Sequence, residues 1–170
     1  MDARRESDVA PMKNPTTAER KSERELVVTR TFNAPARIVF EAWTKLELFK
    51  RWWAPKSFGL SMLSCELDVR TGGTYRLVFA LGNDASKTIA FFGRYIEVTP
   101  HSRIVWTNEE GADGGQVTTV TFEEKDGKTL VMVHDLYPSK AALDDAIASG
   151  STGGWPEQFE QLDELLVTLA

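Results

Sequence analysis

Six β-rich runs follow one another between residues 60 and 136, and this pattern restricts the possible folds more than any other feature of the chain. The runs alternate apolar and polar side chains, and turn-forming residues separate each run from the next. Asp126-Gly127, between the last two runs, is a strong hairpin signal. Because connections this short cannot carry the chain across a sheet, neighbouring strands are predicted to be antiparallel. A further strand is predicted at Glu25–Phe32, which makes seven in all.

Helical spacing of apolar residues occurs in two other places. Between the first and second predicted strands it indicates two short helices, the second ended by Pro55. At the C-terminal end, an apolar stripe from Trp155 to Leu169 predicts a helix of about 15 residues. A sheet with one apolar face must cover that face, and this helix carries the only large stripe available. We therefore expect an α+β fold in which a seven-stranded antiparallel sheet packs on the C-terminal helix.

Length, charge and cysteine content narrow the class of protein. A chain of 170 residues fits one domain, predicted at residues 23–170, and the polar residues 1–22 are predicted to be a flexible N-terminal extension. The net charge of −5 gives no electrostatic support for a nucleic-acid partner. The sequence contains no apolar stretch of membrane-spanning length and no signal-peptide core, and its single cysteine excludes an intramolecular disulfide. A cytoplasmic protein is predicted.

Six short motifs, in order along residues 25–170, resemble those of bacterial proteins similar to the C-terminal domain of the activator of the heat-shock-90 ATPase. The motifs are RTFNAP at 30–35, VFEAWT at 39–44, RWWAP at 51–55, DVRTGGTY at 68–75, GRYIEV at 93–98 and GW at 154–155. This family belongs to the SRPBCC superfamily, which also holds START lipid carriers, pollen allergens and polyketide cyclases. The resemblance implies a helix-grip fold, with a curved sheet around the long helix and a cavity between them.

The resemblance does not imply a single activity, because one fold serves many functions. The eukaryotic activator carries a separate N-terminal domain that anchors it to the chaperone, and residues 1–22 are too short to be one. A chaperone partner is therefore the less favoured alternative.

Aromatic and apolar side chains supply most of the candidate ligand-binding residues, because ligand sites are largely apolar with a few placed polar groups. Two polar candidates depend on strand parity: His134 shares a face with Met132, and Arg94 shares a face with Phe92. If those faces point inward, both side chains reach the cavity; the alternative is an ordinary surface position. The candidates are Trp43, Trp53, Tyr75, Phe79, Phe92, Arg94, Trp106, Met132, His134, Trp155, Phe159 and Leu162.

Recognisable catalytic or metal-binding patterns do not occur in the sequence. There is no nucleophile elbow around a serine, and Cys65 with the two histidines lacks metal-ligand spacing. If the protein is an enzyme, His134 is the first candidate for general acid–base catalysis and Tyr137 the second. No metal and no cofactor are predicted, and Cys65 is interpreted as an inert packing residue.

Three functions remain open from the sequence. The favoured hypothesis is binding of a small hydrophobic or amphipathic molecule in the cavity. A protein-interaction module, such as a chaperone activator or a homodimer, would instead have a filled core and an exposed apolar patch. An enzyme of the cyclase or hydrolase type would require a titratable group aimed into the cavity.

Overall fold

The computed structural model describes residues 15–82, 84–109 and 115–169. Its main feature is one eight-stranded antiparallel sheet with the strand order β1-β2-β8-β7-β6-β5-β4-β3. The strands are β1 Thr17–Arg20, β2 Glu25–Phe32, β3 Leu60–Leu67, β4 Thr74–Leu81, β5 Asp84–Thr99, β6 Arg103–Asn108, β7 Gln116–Lys125 and β8 Lys128–Leu136. The predicted helix-grip fold is confirmed, with one strand more than the seven expected.

The extra strand, β1, lies within the segment predicted to be a flexible extension. Thr17 pairs with Thr29 and Arg20 with Leu26, so β1 adds an antiparallel edge to β2. The side chains of β1 are exposed, which explains why apolar periodicity gave no sign of it. Residues 1–14 of the predicted extension lie outside the described residues.

The two short helices predicted after the first long strand and the predicted C-terminal helix are confirmed. Two short helices and a 3₁₀ turn connect β2 to β3, and α4 follows a second 3₁₀ turn at Ser151–Gly154. The helices are α1 Ala36–Thr44, α2 Leu46–Phe49, α3 Lys140–Ala148 and α4 Trp155–Leu169. In the described residues, no helix has the length and apolar character needed to cross a bilayer.

One face of the sheet is turned towards α4, and alternation along β2 shows which face it is. Leu26, Val28, Arg30 and Phe32 are buried, whereas the residues between them are only partly buried. The antiparallel register places Val28 opposite Val133 of β8, which is also buried. We call this buried side the inner face of the sheet.

The part of the fold formed by β2, β8 and α4 from Phe159 onwards is filled by side chains, and we call it the packed half. Phe159 is completely buried and meets the Phe32 ring edge-on, with 5.3 Å between the ring centroids. Arg30 is also buried, and its guanidinium lies 3.1 Å from Asp163 and 3.4 Å from Glu160 of α4. Apolar packing and these ion pairs hold the helix against the sheet.

Candidate functional site

A cavity of about 850 Å³ lies between the sheet and the N-terminal end of α4. Its walls come from β3 to β8, from α1, from the segment 53–58 that follows α2, and from α3 and the start of α4. We call this part of the fold the hollow half. The fold thus has one filled side and one open side under the same helix.

Four tryptophans form a cluster along the cavity wall. Trp43 of α1 lies 6.0 Å from Trp106 of β6 and stacks on Trp155 of α4 at 6.3 Å, both measured between ring centroids. Trp53 meets Trp43 at 5.9 Å and Trp155 at 5.7 Å. The cluster joins helix, sheet and connecting segment, so the aromatic surface of the cavity is supported from three directions.

Hydrogen bonds from α4 hold the connecting segment in place. Gln161 is buried; its side-chain amide donates to the carbonyl groups of Trp52 and Ala54, each at 2.9 Å, and accepts from the Lys56 N–H at 3.0 Å. Glu157 accepts a further hydrogen bond from the Ser57 N–H at 2.9 Å. Since these bonds satisfy backbone groups that have no partner in a helix or strand, they fix this wall of the cavity.

Polar side chains lining the cavity concentrate on β6, β7 and β8. Asp135 of β8 is 3% exposed, and one of its carboxyl oxygens accepts a hydrogen bond from the Thr118 hydroxyl at 2.6 Å. The Asn108 amide donates to the same hydroxyl at 3.1 Å. Burial raises the pKa of Asp135 above its ordinary value, although hydrogen bonds from Thr118 and Gln116 act in the opposite direction. The cavity therefore holds a carboxyl group that resists losing its proton.

The opposite end of the cavity is apolar and reaches the surface. Phe58, Leu81 of β4 and Ile89 of β5 line it and are each at least 40% exposed. Large exposed apolar side chains at the rim of a cavity are typical of an entrance for an apolar molecule. The site therefore changes along the sheet from polar at β6–β8 to apolar at β3–β5.

A glycine lets β5 and β6 approach each other closely beside the polar wall. A Cβ atom on Gly93 would lie 2.0 Å from the Thr107 carbonyl oxygen, so no other residue fits there without moving the strands. The same carbonyl accepts a hydrogen bond from the Tyr75 hydroxyl at 2.7 Å. The contacts at this point link β4, β5 and β6, and they fix the position of Tyr75, which lines the cavity.

Six of the predicted ligand-binding residues lie on the cavity wall, where their binding role stays a prediction. These are Trp43, Trp53, Tyr75, Phe79, Trp106 and Trp155. Tyr137, the second candidate for acid–base catalysis, also lines the cavity. Burial and the nearby Asp135 raise the pKa of Tyr137 above the ordinary value for a phenol, which makes its proton harder to remove.

The expectation that His134 and Met132 face the cavity is wrong. The inner face of β8 belongs to the alternate residues from Thr129 to Asp135, all of which are buried. His134 lies on the outer face, where its Nε2 atom is 2.7 Å from the Glu25 carboxylate. The hydrogen bond to His134 lowers the pKa of Glu25. His134 is therefore not placed to catalyse a reaction in the cavity.

Strand parity also places Phe92 and Arg94 on the outer face, contrary to the expectation. The inner positions of this part of β5 belong to Phe91 and Tyr95, which line the cavity. Phe92 is 40% exposed, and the Arg94 side chain is 66% exposed with its Nε atom 2.7 Å from Glu109. The anion that Arg94 pairs with is thus a neighbouring glutamate.

Phe159 and Leu162 are buried in the packed half and do not line the cavity, which corrects their assignment as ligand-binding residues. Their helix continues past the cavity and turns these side chains towards β2, as the Phe32–Phe159 contact shows. Sequence spacing identified the apolar stripe of α4 but could not say where along the helix the cavity ends.

The sequence reasoning missed Asp135, the only carboxylate among the described lining residues. A signal was present: Val131, Val133 and Asp135 alternate on β8, and the two valines are a stronger core pattern than the leucine and methionine of the other frame. A carboxylate in an apolar frame is unusual enough to indicate a site.

Cys65 of β3 is partly buried, and burial raises its pKa to about 11. A thiol with such a pKa carries very little thiolate at neutral pH, so it is a poor nucleophile. This supports the interpretation of Cys65 as a packing residue.

Solved structures of bacterial proteins share this fold. A crystal structure from Rhodobacter sphaeroides is 23% identical, with a TM-score of 0.81 and coverage of 91% of this chain and 99% of that one. A crystal structure from Nitrosomonas europaea is 25% identical, with a TM-score of 0.75 and coverage of 87% and 97%. A solution structure from Staphylococcus epidermidis is 27% identical, with a TM-score of 0.72 and coverage of 91% and 95%.

The comparison with curated proteins gives no match. The comparison with protein families does: residues 33–167 match the family described as Activator of Hsp90 ATPase homolog 1-like protein. The matched residues include α1, the sheet from β3 to β8 and almost all of α4. The chain therefore belongs to the Activator of Hsp90 ATPase homolog 1-like family.

Proposed function

We propose that this protein binds a small hydrophobic or amphipathic molecule in the cavity between the sheet and α4. The observation that carries the proposal is a cavity of about 850 Å³ whose wall includes four of the five tryptophans of the chain. Sites for small molecules are typically of this size and are mostly apolar with a few convergent polar groups.

Preorganisation of the wall supports the proposal. The hydrogen bonds from Gln161 and Glu157 hold the segment after α2 against the helix, so the cavity does not depend on a ligand to form it. Binding to a preformed site avoids the entropic cost of ordering a loop. In addition, the buried indole N–H of Trp43 has no hydrogen-bond partner among the described residues, and an acceptor atom on a ligand would supply one.

The shape of the core favours binding over the interaction-module hypothesis. A module that works through its surface gains nothing from a cavity, because unfilled apolar space lowers stability. A bound molecule that fills the cavity would offset this loss of stability.

Native mass spectrometry of the purified full-length chain, followed by organic extraction, tests the proposal. We expect a co-purified species or, after extraction, a thermal shift with at least one member of a panel of lipids, flavonoids and aromatic amines. A clean apo mass together with no thermal shift across the panel would contradict the binding function and favour the interaction module.

A further inference from the structure

We propose that Asp135 is the anchor for a protonated amine, so that the ligand is an amphipathic molecule with one cationic nitrogen and an apolar or aromatic body. This inference rests on the proposed binding function and specifies the chemistry of its ligand. The cavity wall places a single carboxylate beside a surface of indole rings.

Ionisation of Asp135 would leave an isolated charge in the cavity wall. Among the described residues that line the cavity there is no lysine, arginine or histidine, so the wall supplies no cation for this carboxylate. An ionised carboxylate buried without a cation is costly. A ligand cation would complete the ion pair that the protein itself leaves incomplete.

The Asp135 carboxylate has further capacity to accept hydrogen bonds. Thr118 donates to one oxygen, and the pKa of Asp135 also reflects a hydrogen bond from Gln116. An ionised carboxylate offers about four acceptor positions, so room remains for a charged N–H donor. An ammonium group would make a short, charge-assisted bond there.

Aromatic rings lie on the same inner face of the sheet as Asp135. Thr118 pairs with Asp135 on one side and with Trp106 on the other, so all three side chains lie on the inner face in one row across β8, β7 and β6. Trp106 belongs to the tryptophan cluster through Trp43 and Trp53. Indole faces attract organic cations, and this attraction grows when the site excludes water.

The positions of the polar and apolar ends of the cavity set the orientation of the ligand. Asp135 and Thr118 lie on the central strands, whereas the exposed apolar rim at Leu81 and Ile89 belongs to β4 and β5. A molecule with its nitrogen at Asp135 would therefore extend its apolar body past the indoles towards the rim.

Other titratable groups near Asp135 do not compete for the cation. Tyr75, Tyr95 and Tyr137 are the remaining titratable side chains of the described wall, and burial raises the pKa of Tyr95 and Tyr137. The Tyr95 and Tyr137 phenols therefore stay neutral near pH 7. His134 influences Asp135 electrostatically but projects from the outer face, where it pairs with Glu25.

Two probes with the same naphthylethyl body and a cationic or neutral end group test the inference: 2-(2-naphthyl)ethylamine and 2-(2-naphthyl)ethanol, titrated into the full-length chain by calorimetry at pH 7.5. We expect the amine to bind more tightly than the alcohol. In Asp135→Asn, which keeps the shape of the side chain, amine affinity should fall about 10- to 100-fold, whereas alcohol affinity should change by less than about threefold. Glu25→Gln, on the outer face, is the matched control and should leave both affinities unchanged.

The outcomes separate this inference from the proposed function. Equal binding of amine and alcohol, unaffected by Asp135→Asn, would overturn the amine anchor and leave the binding function intact. Tighter binding of the alcohol would show that the neutral carboxyl group acts as a hydrogen-bond donor and would likewise overturn it. Binding of neither probe would overturn the amine anchor, whereas the binding function is contradicted only by a clean apo mass with no thermal shift across the ligand panel.

Discussion

The packed half and the hollow half of the fold use the same sheet and the same helix in opposite ways. In the packed half, Phe159 meets Phe32 directly and Arg30 bonds to α4, so helix and sheet are in contact. In the hollow half, Gln161 holds the segment after α2 against the helix, and sheet, helix and segment together line the cavity.

This difference separates residues that stabilise the fold from residues that contact a ligand. Phe159 and Trp155 are one helical turn apart on α4, yet Phe159 is completely buried in the core while Trp155 lines the cavity. Sequence periodicity treats the two residues alike. Substitutions at the two positions should therefore have different consequences.

The largest effect is expected for Phe159→Ala. It removes a completely buried ring from the packed half and should lower the free energy of unfolding by about 3–5 kcal/mol. Chemical denaturation monitored by circular dichroism measures this change. Ligand affinity of the remaining folded protein should stay within about threefold of wild type, because the ring does not line the cavity.

Trp155→Ala should affect ligand affinity more than stability, the reverse of Phe159→Ala. It should cost less stability than Phe159→Ala but weaken binding of a cavity ligand by about 10-fold or more, since it removes part of the aromatic wall. Equal loss of affinity in both variants would contradict the assignment of Phe159 to the packed half and of Trp155 to the cavity wall.

Gln161→Leu should have an intermediate effect on stability. It leaves two carbonyl groups and one N–H of the connecting segment without their partners, at a cost of about 2 kcal/mol. Hydrogen exchange should accelerate at Lys56 and its neighbours. Glu164→Gln, at an exposed position of the same helix, is the control and should change neither quantity.

Asp135→Asn should change the dependence of stability on pH. Because burial raises the pKa of Asp135, the folded wild type holds a proton that the unfolded chain releases, and its stability falls as pH rises above the ordinary pKa of aspartate. The variant has no titratable group at this position, so its free energy of unfolding relative to that of the wild type should rise from pH 4 towards neutrality. Urea denaturation across this range measures the difference, and a constant difference would contradict a raised pKa.

The smallest effect is expected for His134→Ala. The substitution removes the outer-face hydrogen bond that lowers the pKa of Glu25. In the wild type this bond stabilises the folded state, and its contribution is lost as pH falls through the pKa of Glu25. In the variant the contribution is absent at every pH. Ligand affinity should change by less than about twofold, because His134 does not line the cavity. Loss of binding in this variant would instead restore the sequence-based assignment.

The sequence predicted the fold well because its signals are local. Alternation, the Asp126-Gly127 turn and the apolar stripe of α4 each act within a few residues, and the structure gives Asp126 and Gly127 the positive φ angles that such a turn requires. Strand β1 was not predicted because its side chains are exposed and show no apolar periodicity.

The site was predicted only in part, because lining a cavity depends on strand parity and on position along the helix. Trp106 and Tyr75 were identified, and both lie on the inner face and line the cavity. His134 and Arg94 became candidates because each alternates with apolar residues, but the frames that contain them point outward, as the exposure of Met132 and Phe92 shows. Asp135 was overlooked because it lies in the other frame of β8.

The five indole N–H signals of the chain test the central claim most directly, in a ¹H–¹⁵N spectrum titrated with whichever naphthyl probe binds. Trp43, Trp53, Trp106 and Trp155 line the cavity, whereas Trp52 is fully buried outside it, with its indole N–H donating to the Ala42 carbonyl at 2.9 Å. Our account predicts that the four lining signals shift and that the Trp52 signal moves least. Shifts confined to backbone amides of the outer face, around Met132 and His134, would contradict it.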